Sequence, residues 1–351
     1  MTPRINIAGR LIGTGCPPYV VAELSGNHKG DIARAIALID IVKQAGADAV
    51  KLQTYTADTI TIDHDGPGFV IEGGPWHGRK LHELYREAHT PWEWHPVLFD
   101  HARKIGITCF SSPFDPSAID LLERLNTPAY KIASFEIIDT PLIRYAARTE
   151  KPLVISTGMA TISEVGEAIV AGRQAGSGGV ALLHCVSGYP TPPEEANLAR
   201  MPALAKQFDA PVGLSDHTLG VQVAITSVAL GAALIEKHVT LARADGGPDA
   251  AFSLEPQELS ALVEGVRIAH AALGTADYGR AASERGSIAF RRSLYAVRDI
   301  RAGEIFTEAN VRSIRPGYGL PPKLLPEILG RRAACHIERG TPLSDNLLGE
   351  G

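Results

Sequence analysis

The sequence predicts a TIM (β/α)8 barrel followed by a small C-terminal domain. Eight short apolar runs, rich in β-branched residues, recur along about 270 residues, and most are followed by a stretch of helical period. The runs are YVVAELS, AVKLQTY, ITCFSSPF, AYKIASF, PLVIST, VALLHCV, PVGLSDH and LIEKHVT. Eight such repeats fit a closed parallel barrel better than an open doubly wound sheet. The first run is not followed by G-x-G-x-x-G, which disfavours a dinucleotide-binding fold.

Stretches rich in Ala, Leu and Ile predict helices over residues 32–44, 117–125, 162–174 and 256–273. Segment 56–94, between the second strand and its helix, is too long for an ordinary βα loop. It contains the motifs GGPWHG and TPWEWH. We therefore expect it to cover the active-site face, with Trp92 and Trp94 packing inside this cover rather than forming a sugar platform.

A change of composition after Gly274 predicts a domain boundary. The polar stretch GRAASERGS follows the last helix, and after it the sequence reads as short strands with tight turns. We assign residues 1–273 to the barrel, 274–291 to a linker and 292–351 to a compact domain that is mainly β and irregular.

Composition narrows the classes of function. The net charge of −5 gives no general attraction to nucleic acid or to an anionic membrane, so local lysines and arginines must hold any anionic substrate. The four cysteines are far apart and form no C-x-x-C pair, which favours reduced thiols. The N-terminal residues lack the apolar run of a signal peptide, and no run reaches the length of a membrane span. We expect a cytoplasmic protein.

The predicted strands end in polar residues, and in a barrel those ends meet at one face. Residues two apart on a strand share a side, so each of four pairs projects together: Glu23 with Ser25, Lys51 with Gln53, Ser215 with His217, and Glu236 with His238. Ser111, Ser112, Lys131, Ser134, Ser156, Thr157, His184 and Ser187 stand at the remaining strand ends.

Two of these residues suggest a metal site. His217 and His238 end the seventh and eighth strands, which are neighbours, and Glu23 on the first strand closes the barrel beside the eighth. Two imidazoles and a nearby carboxylate suit a divalent cation such as Mn²⁺. The alternative is that each histidine is a hydrogen-bonded core or rim residue.

Lys51 and Lys131 lie in otherwise apolar strands, where an unpaired ammonium would be costly. Three interpretations stay open. Each lysine forms a salt bridge with Glu23 or Glu136, or both bind a phosphate or carboxylate with help from neighbouring hydroxyls, or Lys131 forms a Schiff base as in class I aldolases.

A hydrolase triad is disfavoured. Ser215, Asp216 and His217 are consecutive on a strand, so Asp216 points away from its neighbours and cannot orient His217. No G-x-S-x-G motif occurs. Asp249, which follows the last strand, is placed to reach a polar ligand or to form an Asx turn.

The motifs of the chain, in their order, closely resemble those of the sialic-acid synthase family, and the resemblance covers nearly the whole length. They are VAELSGNHKG, GADAVKLQTYTADTITID, TPWEWH, FSSPFD, PAYKIASFEI, ISTGMA, LSDHT, IEKHV, GGPDAAFSLEP, RRSLY and RSIRPGYGLPPK. The resemblance implies a TIM barrel with an antifreeze-like (SAF) domain. It also implies an enzyme that condenses phosphoenolpyruvate with an open-chain amino sugar, giving a nine-carbon 2-keto acid and phosphate.

The resemblance also implies roles for individual residues. His217 and His238 would bind Mn²⁺, with Mg²⁺ or Co²⁺ as alternatives. To these implied roles we add the hypothesis that Glu23 orients or deprotonates the attacking water. Phosphoenolpyruvate would be held by Lys51, Gln53, Lys131, Ser134, Thr157 and Ser215. The sugar would contact Glu136, Tyr189, Asp249 and Phe252. Family members are domain-swapped homodimers, and Arg315 matches an arginine that reaches the sugar site of the partner.

The motifs ELSGNH, KLQTYTADT, GGPWHG and TPWEWH are similar to those of one branch of the family. That branch makes pseudaminic acid from 2,4-diacetamido-2,4,6-trideoxy-L-altrose. Three residues depart from that branch: Gly26, Lys29 and Ala250. The alternatives are a synthase of N-acetylneuraminate or legionaminic acid, a class I aldolase, and a carbohydrate-binding protein with an inactive barrel. The polar strand ends oppose an inactive barrel.

Overall fold

A computed structural model describes residues 3–74 and 76–349. Pro75 of the GGPWHG motif and the residues at both termini lie outside this description. The chain forms two compact units, Met1–Gly274 and Thr275–Gly351. The four cysteines are free thiols, as their spacing predicts. Among the helices of the described ranges, none has both the length and the apolar character to cross a membrane.

The first unit is a closed barrel of eight parallel strands, which confirms the predicted (β/α)8 fold. An antiparallel hairpin, β1 (Arg4–Ile7) and β2 (Arg10–Gly13), comes before it. The barrel strands are β3 (Tyr19–Glu23), β4 (Ala49–Thr54), β5 (Thr108–Pro113), β6 (Tyr130–Ile132), β7 (Leu153–Ser156), β8 (Val180–Cys185), β9 (Val212–Asp216) and β10 (Leu234–His238). β10 pairs with β3 and closes the barrel, so His238 lies opposite Glu23.

Helices alternate with the strands of the barrel along the chain. They are α1 (Ile32–Ala45), α2 (Ala57–Ile60), α3 (Leu81–Ala88), α4 (Trp94–Ile105), α5 (Pro116–Arg124), α6 (Thr140–Ala147), α7 (Ile162–Gln174), α8 (Arg200–Phe208), α9 (Gln222–Ala229) and α10 (Pro256–Leu273). Local sequence sets their ends. Asp31 accepts a hydrogen bond from the backbone N–H of Ala33 at the start of α1, and Gly46 ends that helix in the left-handed region.

Apolar side chains fill two layers of this unit. Outward-facing strand residues such as Leu214 and Ile235 pack under the helices in a large core. A second cluster fills the barrel interior, where Ile5, Ile7 and Ile12 of the hairpin pack against inward-facing strand residues. The hairpin therefore closes the amino end of the barrel, a role that the sequence analysis did not assign to it.

The second unit has its own small core. Strands β11 (Ser293–Ala296) and β12 (Val311–Ile314) pair antiparallel, and a single helical turn, α11 (Leu325–Ile328), follows. Buried residues of this core are Leu294, Ala296, Ile300, Phe306, Val311, Ile328, Ala333, Ile337 and Leu343. The stretch expected to be a linker contains a 3-10 helix, Ala282–Phe290, none of whose residues is buried.

The hairpin offers a test of the core. Replacing the buried Ile12 with alanine removes a side chain from the barrel interior, so we expect the free energy of unfolding to fall by about 2–5 kcal/mol. The matched control is Leu11→Ala, since Leu11 is the neighbouring residue and is 50% exposed. Denaturant unfolding measures both changes, and equal losses in the two variants would contradict the proposed closure.

Candidate active site

The carboxyl ends of the barrel strands surround a cavity of about 480 Å³. This volume is within the usual range for a site that holds a small molecule. Most of the residues predicted for the site line this cavity, namely Lys51, Gln53, Lys131, Ser134, Glu136, Tyr189, Ser215, His217, His238 and Asp249. Glu23, Thr157, Phe252 and Arg315 are not among the lining residues. Arg315 lies in the second unit, just after β12, and its role stays a prediction.

A network of buried charges forms the floor of the cavity. Lys51 on β4 pairs with Glu23 on β3, and its Nζ lies 3.7 Å from Oε1 of Glu236 on β10. Lys131 on β6 approaches the same Oε1 to 3.6 Å. The lysines are thus bridged by Glu236, and the salt-bridge partner of Lys131 is Glu236 rather than Glu136. Sequence reasoning placed Glu236 on the inward face but gave it no role.

Burial and pairing set the charge states of this network. Burial lowers the pKa of Lys51, but Glu23 and Glu236 outweigh this effect and raise it. Burial prevails at Lys131, whose pKa is lowered despite Glu236. Burial also raises the pKa of Glu23, and Lys51 offsets the shift only in part. At Glu236 the two lysines overcome burial and lower the pKa. Glu236 is therefore held as a carboxylate, and Glu23 is the carboxyl group more easily protonated.

Hydroxyl groups of serine and threonine surround the lysines. Ser112 accepts a hydrogen bond from Nζ of Lys51 at 3.1 Å, and Ser215 donates one to Oε1 of Glu236 at 3.2 Å. Oγ of Ser156, which also lines the cavity, is buried and has no protein partner within the described chain. Thr157 instead donates to the carbonyl of Leu183 at 3.3 Å, which explains why it does not line the cavity.

Glu23 lies behind the lining rather than in it. Its Oε1 accepts hydrogen bonds from the backbone N–H of Ser25 at 2.9 Å and from Nε2 of Gln53 at 3.1 Å. The side chain of Glu23 is completely buried. The carboxyl group therefore fixes the two strand ends beside it, β3 and β4, and is screened from the cavity by Ser25 and Gln53.

His217 and His238 stand side by side at the ends of β9 and β10, with ring centroids 5.4 Å apart. Nδ1–H of His217 donates to the carbonyl of Val186 at 3.0 Å, which leaves the lone pair on Nε2. Nδ1 of His238 is buried, without a hydrogen-bond partner in the described chain, and lies 3.7 Å from a carboxylate oxygen of Asp249. Burial and the nearby positive charges hold the pKa of His238 well below its usual range.

These two imidazoles could hold a divalent cation. One has its tautomer fixed by a backbone carbonyl, and the other is neutral with an unused ring nitrogen, so both can supply a lone pair. Over the ranges that the structure describes, no group of three or more His, Cys, Asp or Glu side chains is arranged around a common point.

Aromatic rings back the histidines. Tyr189 lies 4.5 Å from the ring of His217, and Phe252 packs against His238 at 5.1 Å and His217 at 6.2 Å. Phe252 is thus a packing partner behind the pair. Trp76 stands 5.8 Å from Tyr189 and donates from its indole N–H to the carbonyl of Pro248 at 3.1 Å.

Two carboxyl groups stand on the lining away from the lysine floor. Burial raises the pKa of Glu136 to about 7, although Lys131 opposes the shift, and Oε2 of Glu136 is buried without a hydrogen-bond partner in the described ranges. Burial raises the pKa of Asp249 to about 6, against a hydrogen bond from Ser25. Both groups are placed to receive hydrogen bonds from a polar ligand.

Asp216 takes no part in the cavity. Its Oδ2 accepts a hydrogen bond from Nζ of Lys237 at 2.9 Å, and its Oδ1 accepts one from the backbone N–H of Thr218. Asp216 and Lys237 face outward, on the opposite side of their strands from Ser215 and His238. A relay from Asp216 to His217 is therefore impossible, as the alternation of the strand predicts.

Known proteins share both parts of this architecture. The NeuB family model matches residues 38–278, and the SAF domain model matches residues 291–348. A relative named pseudaminic acid synthase, from Campylobacter jejuni, is 44% identical over 93% of this chain and 96% of its own length. A relative from the same species named N,N'-diacetyllegionaminic acid synthase is 37% identical over 90% of this chain and 95% of its own length.

The fold agrees with these matches. The crystal structure of an N-acetylneuraminic acid synthetase from Leptospira borgpetersenii superposes with a TM-score of 0.73 at 31% identity, covering 82% of this chain and 96% of that one. The chain belongs to the NeuB family. The resemblance to sialic-acid synthases that the motifs indicate is thereby confirmed.

In this NeuB-family chain, segment 56–94 forms one wall of the cavity. α2, α3 and the loop between them contribute apolar and aromatic side chains, namely Ile60, Ile71, Trp76, Leu81, Leu84, Tyr85 and Ala88. The sequence predicted this cover, with Trp92 and Trp94 packed inside it. Trp94 begins α4 and packs edge-on against His28, with ring centroids 5.4 Å apart, and Trp76 of the GGPWHG motif lines the cavity. The sequence signals for this wall were the length of the segment and the motifs GGPWHG and TPWEWH.

Buried histidines anchor the same segment to the barrel. Nδ1–H of His95 donates to the carbonyl of Pro91 at 3.2 Å, and Nε2 accepts from the hydroxyl of Thr54 at 2.8 Å. His28 lies 3.3 Å from the hydroxyl of Thr90. Burial lowers the pKa of His28 and of His95 to about 4. Both rings are therefore neutral in the folded protein at neutral pH.

This anchoring predicts a pH dependence of stability. Because the folded protein lowers the pKa of His95 from 6.5 to about 4, the neutral ring stabilises the fold above pH 6.5, and this contribution is lost as the pH falls towards 4. Its loss is worth on the order of 3 kcal/mol. In His95→Gln the free energy of unfolding should fall correspondingly less between pH 7 and pH 4. The control is His64→Gln, at an exposed histidine of the same segment, and an unchanged pH profile in His95→Gln would contradict the assignment.

Proposed function

We propose that this chain is a pseudaminic acid synthase. It would condense phosphoenolpyruvate with 2,4-diacetamido-2,4,6-trideoxy-L-altrose and water, and release pseudaminic acid and phosphate. The observation that carries this proposal is the pair of buried lysines, Lys51 and Lys131, bridged by Glu236 beside two strand-end histidines in one cavity. Identity to a relative named pseudaminic acid synthase exceeds identity to a relative named legionaminic acid synthase, 44% against 37%.

The lysine floor suits phosphoenolpyruvate. Its phosphate and carboxylate would accept charge-assisted hydrogen bonds from Lys51 and Lys131. The hydroxyls of Ser134, Ser156 and Ser215 would supply neutral donors along the same side of the cavity. We include Ser156 because its buried Oγ has no protein partner in the described chain, and we leave out Thr157 because a backbone carbonyl occupies its hydroxyl.

His217 and His238 would hold a divalent cation, Mn²⁺ first, with Mg²⁺ or Co²⁺ as alternatives. When bound, the cation would act as a Lewis acid on the aldehyde oxygen of the open-chain sugar. The fixed tautomer of His217 and the unused Nδ1 of His238 support this assignment.

The sugar would lie between the histidines and the wall of segment 56–94. Glu136, Tyr189 and Asp249 would face its polar groups. The substrate carries two acetamido methyl groups and a methyl group at C6, and the apolar side chains of the wall would contact such groups. We further propose a homodimer in the cytoplasm in which Arg315 reaches the sugar site of the partner, as the resemblance implies.

In the proposed reaction, C3 of phosphoenolpyruvate forms a bond with C1 of the sugar, and the aldehyde oxygen takes up a proton. C2 gains cationic character, and water adds there and loses a proton. The C–O bond to phosphate then breaks while the C2 hydroxyl proton passes to the departing phosphate, which leaves the 2-keto acid. Lys51 and Lys131 would balance the phosphate charge in each step. Glu23 would orient or deprotonate this water, as predicted from the sequence, and Glu236, which lines the cavity, is the alternative.

A substrate comparison tests the proposed function. Phosphate release from phosphoenolpyruvate is measured with the altrose derivative, with N-acetylmannosamine and with the legionaminic acid precursor, each with and without EDTA. We expect kcat/KM for the altrose derivative to exceed the others by roughly 10–100-fold, because the apolar wall contacts its methyl groups. EDTA should abolish turnover. Preference for either other sugar would overturn the branch assignment, and pyruvate trapped on Lys131 by borohydride would favour a class I aldolase instead.

Removal of one histidine tests the metal assignment. His217→Ala should lower phosphate release by roughly 10³-fold, since a Lewis acid supplies several kcal/mol of transition-state stabilisation. The matched control is His184→Gln, because His184 also lies on a barrel strand but bonds to the carbonyl of Ala196 and does not line the cavity. We expect that variant to stay within a few-fold of the wild type. Circular dichroism checks the fold, and full activity in His217→Ala would refute the assignment.

A further inference from the structure

Asp216 and Lys237 form a buried ion pair on the outer face of the barrel, and each directly precedes one of the two cavity histidines. Asp216 is 3% exposed and Lys237 is 1% exposed. Nζ of Lys237 lies 2.9 Å from Oδ2 of Asp216. We propose that this pair positions His217 and His238 so that both reach one cation. The inference rests on the proposed function, because it takes the two histidines as ligands.

The ion pair lies at the last paired position of β9 and β10. In the register of β9 and β10, Lys237 lies opposite Asp216, and β9 ends at this position. His217 therefore follows the end of the strand, while His238 is still part of β10. Nζ of Lys237 also donates to the carbonyl of Thr218 at 2.6 Å. The ammonium of Lys237 thus bonds to Asp216 and to Thr218, the residues on both sides of His217. It links both of them to β10, which carries His238.

The remaining bonds close this turn. The backbone N–H of Thr218 donates to Oδ1 of Asp216 at 2.9 Å, so the Asp216 carboxylate spans His217 as well. The carbonyl of His217 accepts from the backbone N–H of Thr191 at 3.0 Å. These bonds fix the backbone of His217 relative to the loop after β8, and Lys237 fixes it relative to β10. The separation of the two imidazoles therefore depends on the ion pair.

Stability alone is a poor explanation of this pair. The outward face of these strands otherwise buries apolar residues, including Leu214 and Ile235, and well-packed apolar groups often stabilise such a position at least as well as an ion pair. Hydrogen bonds between charged groups add direction, which apolar contacts lack. A pair with three directed bonds around one ligand residue is suited to setting its position.

The test measures Mn²⁺ binding rather than turnover. The dissociation constant for Mn²⁺ alone is obtained from the electron paramagnetic resonance signal of the free ion, for the full chain and for the double variant Asp216→Asn with Lys237→Met. The double variant removes both charges, so no buried charge is left unpaired, and the asparagine side chain keeps an acceptor for the backbone N–H of Thr218. The single variant Lys237→Met leaves the buried Asp216 carboxylate without its partner. It is included to compare its free energy of unfolding with that of the double variant.

We expect the double variant to fold and its Mn²⁺ dissociation constant to rise roughly 10–100-fold, as when groups that orient metal ligands are removed. Ile12→Ala is the control, because it destabilises the amino end of the barrel without touching either histidine strand end. Its Mn²⁺ affinity should equal that of the wild type.

The outcomes separate the two proposals. Wild-type protein that does not bind Mn²⁺ would overturn the metal assignment and this inference with it. Wild-type binding with unchanged affinity in the folded double variant would overturn the positioning role alone. An equal loss of affinity in Ile12→Ala would also overturn it, since the loss would then follow stability rather than the position of His217.

Discussion

The buried charges at the carboxyl end of the barrel are the constraint on which the cavity depends. Lys51, Lys131, Glu23 and Glu236 are each at most 4% exposed, so an unpaired charge among them would be costly. Opposite charges must therefore stand close together, and only strands held in fixed register can keep them there. In this arrangement two ammonium groups already face two carboxyl groups. The phosphate of the proposed substrate would add negative charge beside these lysines, and a divalent cation nearby would supply further positive charge.

Alternation along the strands made much of this site predictable. Because residues two apart share a face, the sequence could place Ser215 with His217 and Glu236 with His238 in one cavity. The same alternation predicts that Asp216 faces away from that cavity. The function of Glu236 could not be predicted in the same way. Its partner Lys131 is on β6, across the barrel from β10, and the period of a strand contains no information about contacts across the lumen.

Features that depend on irregular backbone were harder to predict. Segment 56–94 was recognised by its length, but which tryptophan would reach the cavity depends on where α3 and its flanking loops pack. Trp76 does so, and Trp94 belongs to the next helix. Thr157 shows the same limit on a smaller scale, since it was expected in the cavity, but its hydroxyl bonds to the carbonyl of Leu183 and it is not among the lining residues. The hairpin was missed because its alternation is short and its partner surface is the barrel interior.

The departures of this chain from its branch lie where these irregular segments meet the barrel. A Cβ added to Gly26 would lie 3.1 Å from Cα of Ala88, so glycine lets the end of α3 pack closely on the loop after β3. Lys29 has φ of 53°, a left-handed conformation that is uncommon for residues other than glycine and asparagine. A hydrogen bond from its Nζ to the carbonyl of Asp245 holds it there. Gly26 and Lys29 thus lie at contacts that the loop after β3 makes with α3 and with the loop that contains Asp245.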